Sequence, residues 1–152
     1  MSARITPFLW FDTQAEDAAK FYTSVFKNSK VLKTVKRGEG VPGPVDVLTV
    51  EFEIDGQRVT ALNGGPLFKF NESVSFVVHC KDQEELDYYW DKLTSQGGTP
   101  SQCGWLKDRF GLSWQVVPDA LPRLLQDPKR GPRMMKALMK MQKLDIAALE
   151  AA

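Results

Sequence analysis

Ser113 and Gln115 stand two residues apart in Cys103–Pro118, CGWLKDRFGLSWQVVP, with Trp114 between them and Val116 after them. On a strand this alternation sends the hydroxyl and the amide to one face and the indole and valine to the other. Such a pair can hold a ligand by hydrogen bonds, but it offers no acid–base chemistry. Groups that do are few. His79 is the one histidine and closes Ser73–Cys80, SVSFVVHC, where a period of two groups it with Ser73, Ser75 and Val77. Imidazole titrates near neutrality and suits a general base or a substrate contact; the plainer reading is an exposed residue at a strand end. Glu51 and Glu53 share a strand face closely enough to interact, and the plainer reading there is a solvated rim. Cys103 has no histidine placed nearby to activate its thiol. His79 and Glu51 are the catalytic candidates, and neither carries an assignment.

The elements that would position these residues follow from period and punctuation. Arg4–Phe11 reads as a strand, stopped at Asp12. Thr13-Gln-Ala-Glu16 has the form of a capping box, and Ala18, Phe21, Tyr22, Val25 and Phe26 continue at helical spacing to Asn28 and Ser29. Val31–Val35 is a second strand, and GEGVPGP over 38–44 is a loop. Val45–Ile54 alternates, with Leu48, Val50 and Phe52 on one side and Val47, Thr49, Glu51 and Glu53 on the other. Asp55-Gly56 is a hairpin signal leading into Arg58–Asn63. This first half reads β-α-β-β-β. The order then restarts: the strand Ser73–Cys80, a helix over Asp82–Gln96 with the cap signature Asp82-Gln-Glu-Glu85 and the stripe Leu86, Tyr89, Trp90, Leu93, and short strands at Trp105–Lys107 and Leu112–Val117. Two copies of one supersecondary unit are expected. Beyond Pro118, prolines punctuate short helical pieces. They lead to an amphipathic stretch with Met135, Leu138, Met139 and Met141 or Gln142 as its stripe, suited to core or dimer packing. Lys129, Arg130, Arg133, Lys136, Lys140 and Lys143 form a solvated face.

Composition narrows the classes. Of 152 residues 43% are hydrophobic, enough for a sizeable core, and 20 basic against 19 acidic residues give a net charge of +1. No cationic excess marks a nucleic-acid binder. No apolar run approaches the ~20 residues of a spanning helix, so no membrane partner is expected. Two cysteines without a CxxC pair, and no basic-then-apolar leader, fit a cytoplasmic protein.

Taken together, ITPFLWFD, a helix ending in FY, ALNGGP and CGWLKDRFGLSWQVVP resemble the PhnB-like branch of the glyoxalase/bleomycin-resistance/dioxygenase (vicinal oxygen chelate) superfamily, often labelled 3-demethylubiquinone-9 3-methyltransferase domain. The closing MQKLDIAALEAA also looks like that family's C-terminal helix. The resemblance implies an α+β fold of paired β-α-β-β-β modules with a helical C-terminal extension: one glyoxalase-like domain over 1–152, with module one about 1–66, module two about 67–118 and a tail about 119–152. It implies a homodimer, and sheets with one face on a helix and the other lining a cavity.

Under that fold, parity puts Thr6, Phe8 and Trp10 on the cavity face of the first strand, with Ile5, Leu9 and Phe11 toward the helix. It assigns Val59, Ala61 and Asn63 to the cavity with Leu62 in the core. It assigns Ser73, Ser75, Val77 and His79 to the cavity with Val74, Phe76 and Val78 toward the helix. In the last strand Ser113 and Gln115 face the cavity. Ligand contacts are expected from Thr6, Phe8, Trp10, Asn63, Ser73, Ser75, Phe110 and Gln115, with Phe68 nearby. The superfamily's metal ligands map near Thr6, Ala61, Ser73 and Gln115. Two hydroxyls, a methyl and one amide do not offset the lost hydration of a divalent cation, so these positions read as vestigial and no metal or other cofactor is expected. A methyltransferase needs a Gly-rich turn after its first strand, and here that strand runs into Asp12-Thr13-Gln14. The expectation is a small-molecule binding protein with a metal-free, aromatic-lined cavity. The alternatives are a metal-assisted isomerase, lyase or dioxygenase of the superfamily, or the methyltransferase of the family label; whether the chain is an enzyme stays open at this level.

Overall fold

The computed structural model describes residues 4–152. The chain divides into two compact units, Met1–Phe70 and Asn71–Ala152, each described by itself.

In the first unit β1 (Phe8–Phe11) leads to α1 (Ala15–Val25), then β2 (Lys30–Lys36), β3 (Val47–Ile54) and β4 (Gln57–Asn63). The sheet order is β1-β4-β3-β2, with β1 parallel to β4 and the other pairs antiparallel. The β3–β4 turn is Asp55-Gly56, with φ of 46° and 82°. Two left-handed residues match the twist of the flanking strands, which is why Asp-Gly signals a tight hairpin. The expected stripe of α1 is the buried one: Ala18, Phe21, Tyr22, Val25 and the following Phe26 all lie in the core. Tyr22 stacks over Phe52 at 6.0 Å between ring centroids, and Phe52 is wholly buried. Burial of such a side chain contributes about 1.5–3 kcal/mol.

Four expectations for this unit are corrected. The first strand is shorter than Arg4–Phe11, so Ile5, expected toward the helix, is 85% exposed, and Thr6 lies outside the strand. The Thr13 capping box does not form; α1 begins after Gln14 without a local side-chain cap. The alternation of Val45–Ile54 breaks because Val35 pairs with Thr49 and Lys36 with Val47, skipping Leu48. This bulge turns Val47 inward, where it is buried, while Leu48 is only half-buried. In β4 the parity is the reverse of that expected: Val59, Ala61 and Asn63 are buried on the helix side, and Thr60 and Leu62 point the other way.

In the second unit β5 (Ser75–Cys80) leads to α2 (Gln83–Thr94), then β6 (Thr99–Pro100), β7 (Trp105–Lys107) and β8 (Ser113–Pro118). The order β5-β8-β7-β6 repeats that of the first sheet, again with a parallel first pair. Asp82 caps α2 by accepting from the Glu85 amide, as Asp82-x-x-Glu85 predicts, and Glu85 reaches back past the cap to accept from the Lys81 amide. Leu86, Trp90 and Leu93 are buried and Tyr89 half-buried.

The tail forms α3 (Leu121–Leu125), α4 (Arg130–Leu138) and α5 (Ile146–Ala151). Its buried stripe is Met134, Leu138, Leu144 and Leu149; Met135 and Met139, expected to pack, are exposed. The tail is fastened within its own unit. The Cys103 and Gly104 amides donate to the Met141 and Gln142 carbonyls, and the Gln83 side chain holds both the Leu144 carbonyl and the Ile146 amide. Gly104 has φ of 83°, and a Cβ there would press on Leu144 and the Val116 carbonyl at 3.1 Å, so glycine is required. Among the described residues no helix is long and apolar enough to cross a membrane.

Candidate functional site

Each sheet has one face on its helix and one turned away from it, and strand register assigns residues to the second, open face. In the first sheet Phe8 pairs with Thr60, Trp10 with Leu62, Thr49 with Leu62 and Glu51 with Thr60. These residues therefore share the open face. Phe8 is 60% exposed there. Trp10 is half-buried, held by its indole N–H donating to the Gly65 carbonyl at 2.9 Å, and Phe68 meets it edge-on at 4.9 Å. Gly64 packs against the Trp10 ring so closely that a Cβ would overlap it. The NGGP turn thus serves as a seat for the indole.

Asn63, expected among the ligand contacts, is on the other face. Its Oδ1 accepts from the Ala15 amide at 2.9 Å and its Nδ2 donates to the Val47 carbonyl at 3.0 Å, both buried. It is the missing cap of α1, supplied from 48 residues along the chain. The Arg37 guanidinium donates to the Asn63 carbonyl and to the Val45 and Pro42 carbonyls, pinning the long β2–β3 loop to the same point.

In the second sheet Ser75 pairs with Ser113, Val77 with Gln115 and His79 with Val117, while Trp105 lies opposite Gln115 and Lys107 opposite Ser113. Ser75, Val77, His79, Ser113 and Gln115 share the open face, with Val78, Cys80, Trp114 and Val116 buried on the other side. Gln115 Nε2 donates to Ser75 Oγ at 3.0 Å. The Ser113 hydroxyl is buried and has no hydrogen-bond partner among the described residues. Lys107 forms an ion pair with Glu72, which holds the Glu72 carboxyl below its usual range. Ser73 and Val74 precede the strand rather than belong to it. Ser73 is exposed and bonded to Asn71, and Val74, expected toward the helix, is exposed. His79 is exposed at the end of β5, and Glu51 is half-buried opposite Thr60 and Lys33; they belong to different units.

Phe110 sits in the β7–β8 turn, half-buried, with the Arg109 guanidinium 4.6 Å above its ring. That turn is organised by Asp108, which sequence reasoning passed over. Asp108 is 3% exposed; Oδ1 accepts from the Phe110 and Leu112 amides and Oδ2 from the Trp114 indole. Three donors on one carboxylate keep it stable in the interior and lock the register of β8. The readable signal was an aspartate opening a Gly-containing turn, with a donor-bearing indole just beyond it.

The four positions onto which the superfamily's metal ligands map offer no anionic or imidazole donor. Thr6 is exposed outside the strand, Ala61 is buried on the helix side, Ser73 is tied to Asn71, and Gln115 has only an amide oxygen left to offer. Among the described residues no three His, Cys, Asp or Glu side chains are grouped to hold an ion. These residues do not fit a divalent cation, which requires anionic or imidazole donors.

The 3-demethylubiquinone-9 3-methyltransferase family matches residues 3–117. The chain belongs to this family. The PhnB protein of Bacillus cereus, which carries the same family description, is 32% identical over 76% of this chain and 99% of its own, with a TM-score of 0.69. A Pseudomonas aeruginosa protein is 18% identical over 77% of this chain and 98% of its own, with a TM-score of 0.61. The fosfomycin resistance protein FosX of Listeria monocytogenes, solved with Mn(II) and a dihydroxypropylphosphonic acid, is 14% identical over 78% of this chain and 93% of its own, with a TM-score of 0.55. The last two likenesses show the fold alone, that of the glyoxalase/vicinal oxygen chelate superfamily. No curated protein matches the chain. The family match stops at residue 117, so it does not extend to the tail, including the closing MQKLDIAALEAA.

Proposed function

We propose that this PhnB-like protein binds a small organic molecule, without a metal, against the open face of a sheet. One observation carries the reading: the open faces present aromatic and aliphatic side chains to solvent beside uncharged hydrogen-bonding groups. Phe8 and Val77 are 60% and 43% exposed on strands, Trp10 is braced by Gly65 and Phe68, and Gln115 and Ser75 lie hydrogen-bonded next to Val77. Apolar walls with a few placed polar groups suit an organic ligand. In this reading Phe8 and Trp10 are the contacts that the first unit's sheet offers, and Ser75 and Gln115 those that the second unit's sheet offers. We further read the protein as a cytoplasmic homodimer, in keeping with the family resemblance.

The test is Gln115→Leu. The side chain is half-buried and its one bond among the described residues is to Ser75, so the fold should survive with a loss of about 1 kcal/mol. Binding, followed by Trp fluorescence against a panel of small aromatic acids, amides and alcohols, should change for those that bind the native chain. A panel in which nothing binds removes the reading. Elemental analysis of protein purified without added metal should give well under one equivalent of transition metal per chain. Methyl transfer, the activity in the family's name, would require S-adenosylmethionine. Calorimetric titration with that compound is expected to give no saturable heat; a saturable signal would put the enzyme reading in its place.

A further inference from the structure

The hydrogen bonds on the open face of the second sheet leave an excess of donors. Gln115 Nε2 donates into Ser75 Oγ, so the Ser75 hydroxyl proton is left without an acceptor among the described residues. Directly opposite, on the parallel neighbour β8, Ser113 is 1% exposed and its hydroxyl has no partner. Adjacent strands lie about 4.8 Å apart. Two hydroxyls at that separation on one face can converge on a single oxygen. On the far side of Ser113, Lys107 is its register partner in β7. An ammonium has three N–H donors, and the pair with Glu72 accounts for one interaction. A buried hydroxyl without a partner costs stability, so in a native structure it calls for an occupant, a bound water, an ion or a ligand.

Resting on the binding reading above, we infer that the ligand carries a terminal oxyanion, a carboxylate or a phosphonate, seated on the Ser75 and Ser113 hydroxyls with Lys107 beside them. An oxyanion accepts and does not donate, which matches a row of donors. Gln115 acts at one remove: its amide fixes the Ser75 oxygen so that the hydroxyl proton must point elsewhere. Trp105, opposite Gln115, adjoins the same patch and offers an apolar surface for the body of the molecule.

The experiment uses the full chain labelled with nitrogen-15 and three probes of similar shape: phenylacetate, benzylphosphonate and the uncharged phenylacetamide. The Val77 and Gln115 amide signals report binding to this face. At least one oxyanion should bind about tenfold more tightly than phenylacetamide, the ratio expected of one good charge-assisted hydrogen bond. Which of the two does so identifies the carboxylate or the phosphonate. Ser113→Ala and Ser75→Ala should each remove most of that preference, the oxyanion losing more affinity than phenylacetamide does, and Lys107→Gln should weaken the oxyanions more than phenylacetamide. Equal binding of all three probes, or oxyanion affinity indifferent to Ser113→Ala, overturns the oxyanion seat and leaves the binding reading standing. Failure of every probe to move these signals overturns both. Ser113→Ala removes a hydroxyl that bonds to nothing among the described residues, so it should fold as the native chain does, and Lys107→Gln supplies an independent test at an exposed side chain.

Discussion

Replacing Asn63 by alanine should unfold the first unit more readily than its position on an apparent site strand suggests. The native side chain makes two buried hydrogen bonds, to the Ala15 amide at 2.9 Å and the Val47 carbonyl at 3.0 Å. Each is worth about 1 kcal/mol net, and an orphaned buried partner adds a desolvation penalty of ~1–3 kcal/mol. Ala15 is wholly buried and Val47 nearly so, and solvent cannot readily take over either bond. The expected loss is about 3 kcal/mol, a large share of the ~5–15 kcal/mol that stabilises an ordinary domain. Urea unfolding followed by circular dichroism measures it, as a shift in midpoint at constant slope. Asn63→Asp gives the control. It keeps an oxygen for the Ala15 amide and places negative charge at the start of α1, where the helix dipole favours it. It also loses the donor to Val47 and sets a carboxylate oxygen against that carbonyl in a buried site, so its stability should fall below native, and a value at or above native would count against the bond to Val47. If Asn63→Ala leaves the midpoint unmoved and instead weakens a bound ligand, the assignment of Asn63 as a helix cap is wrong and the open-face reading of β4 is right.

Two further outcomes follow from buried groups in the second unit. Asp108→Asn should cost about 2–3 kcal/mol in urea unfolding, because an amide has one acceptor oxygen where three donors converge, and a shift under ~0.5 kcal/mol would count against the turn depending on that carboxylate. Cys80 is wholly buried, and burial, aided by Glu85, Asp119 and Asp82, pushes its thiol up to about 12. In native protein a thiol reagent at pH 8 should therefore label Cys103 and spare Cys80, with both labelled in denaturant; native labelling of Cys80 at the rate of Cys103 would show that β5 opens freely.

Much of this molecule was legible in linear order. The restart of the β-α-β-β-β pattern, the Asp55-Gly56 hairpin and the Asp82 cap each depend on contacts within a few residues, and the structure reproduces them. Strand parity was readable from Trp114 to Val116 in β8 and from Val77 to Cys80 in β5, where burial alternates. It failed in β4 because parity under the expected fold left open which face meets the helix, and nothing near Asn63 announces that its partners are Ala15 and Val47. It failed at Val47 because a bulge inserts Leu48 between paired residues, and a bulge depends on the facing strand. The Met stripe of the tail was misread by one position: helical spacing is satisfied equally by Met134 and Met135, and only the surface they meet distinguishes them.

By itself, then, the sequence determined the elements, their order, the doubled topology and the family, since these rest on local spacing and on motifs read in series. The three-dimensional fold alone decided which polar residues hold the structure and which are left over. Asn63 and Asp108 are spent on backbone amides and an indole; Ser113, expected beside Gln115 on the same face, is buried and spent on nothing among the described residues. That distinction could not be read along the chain, because a hydrogen bond is satisfied by whatever lies within about 3 Å in space, and its partner may lie dozens of residues away in sequence.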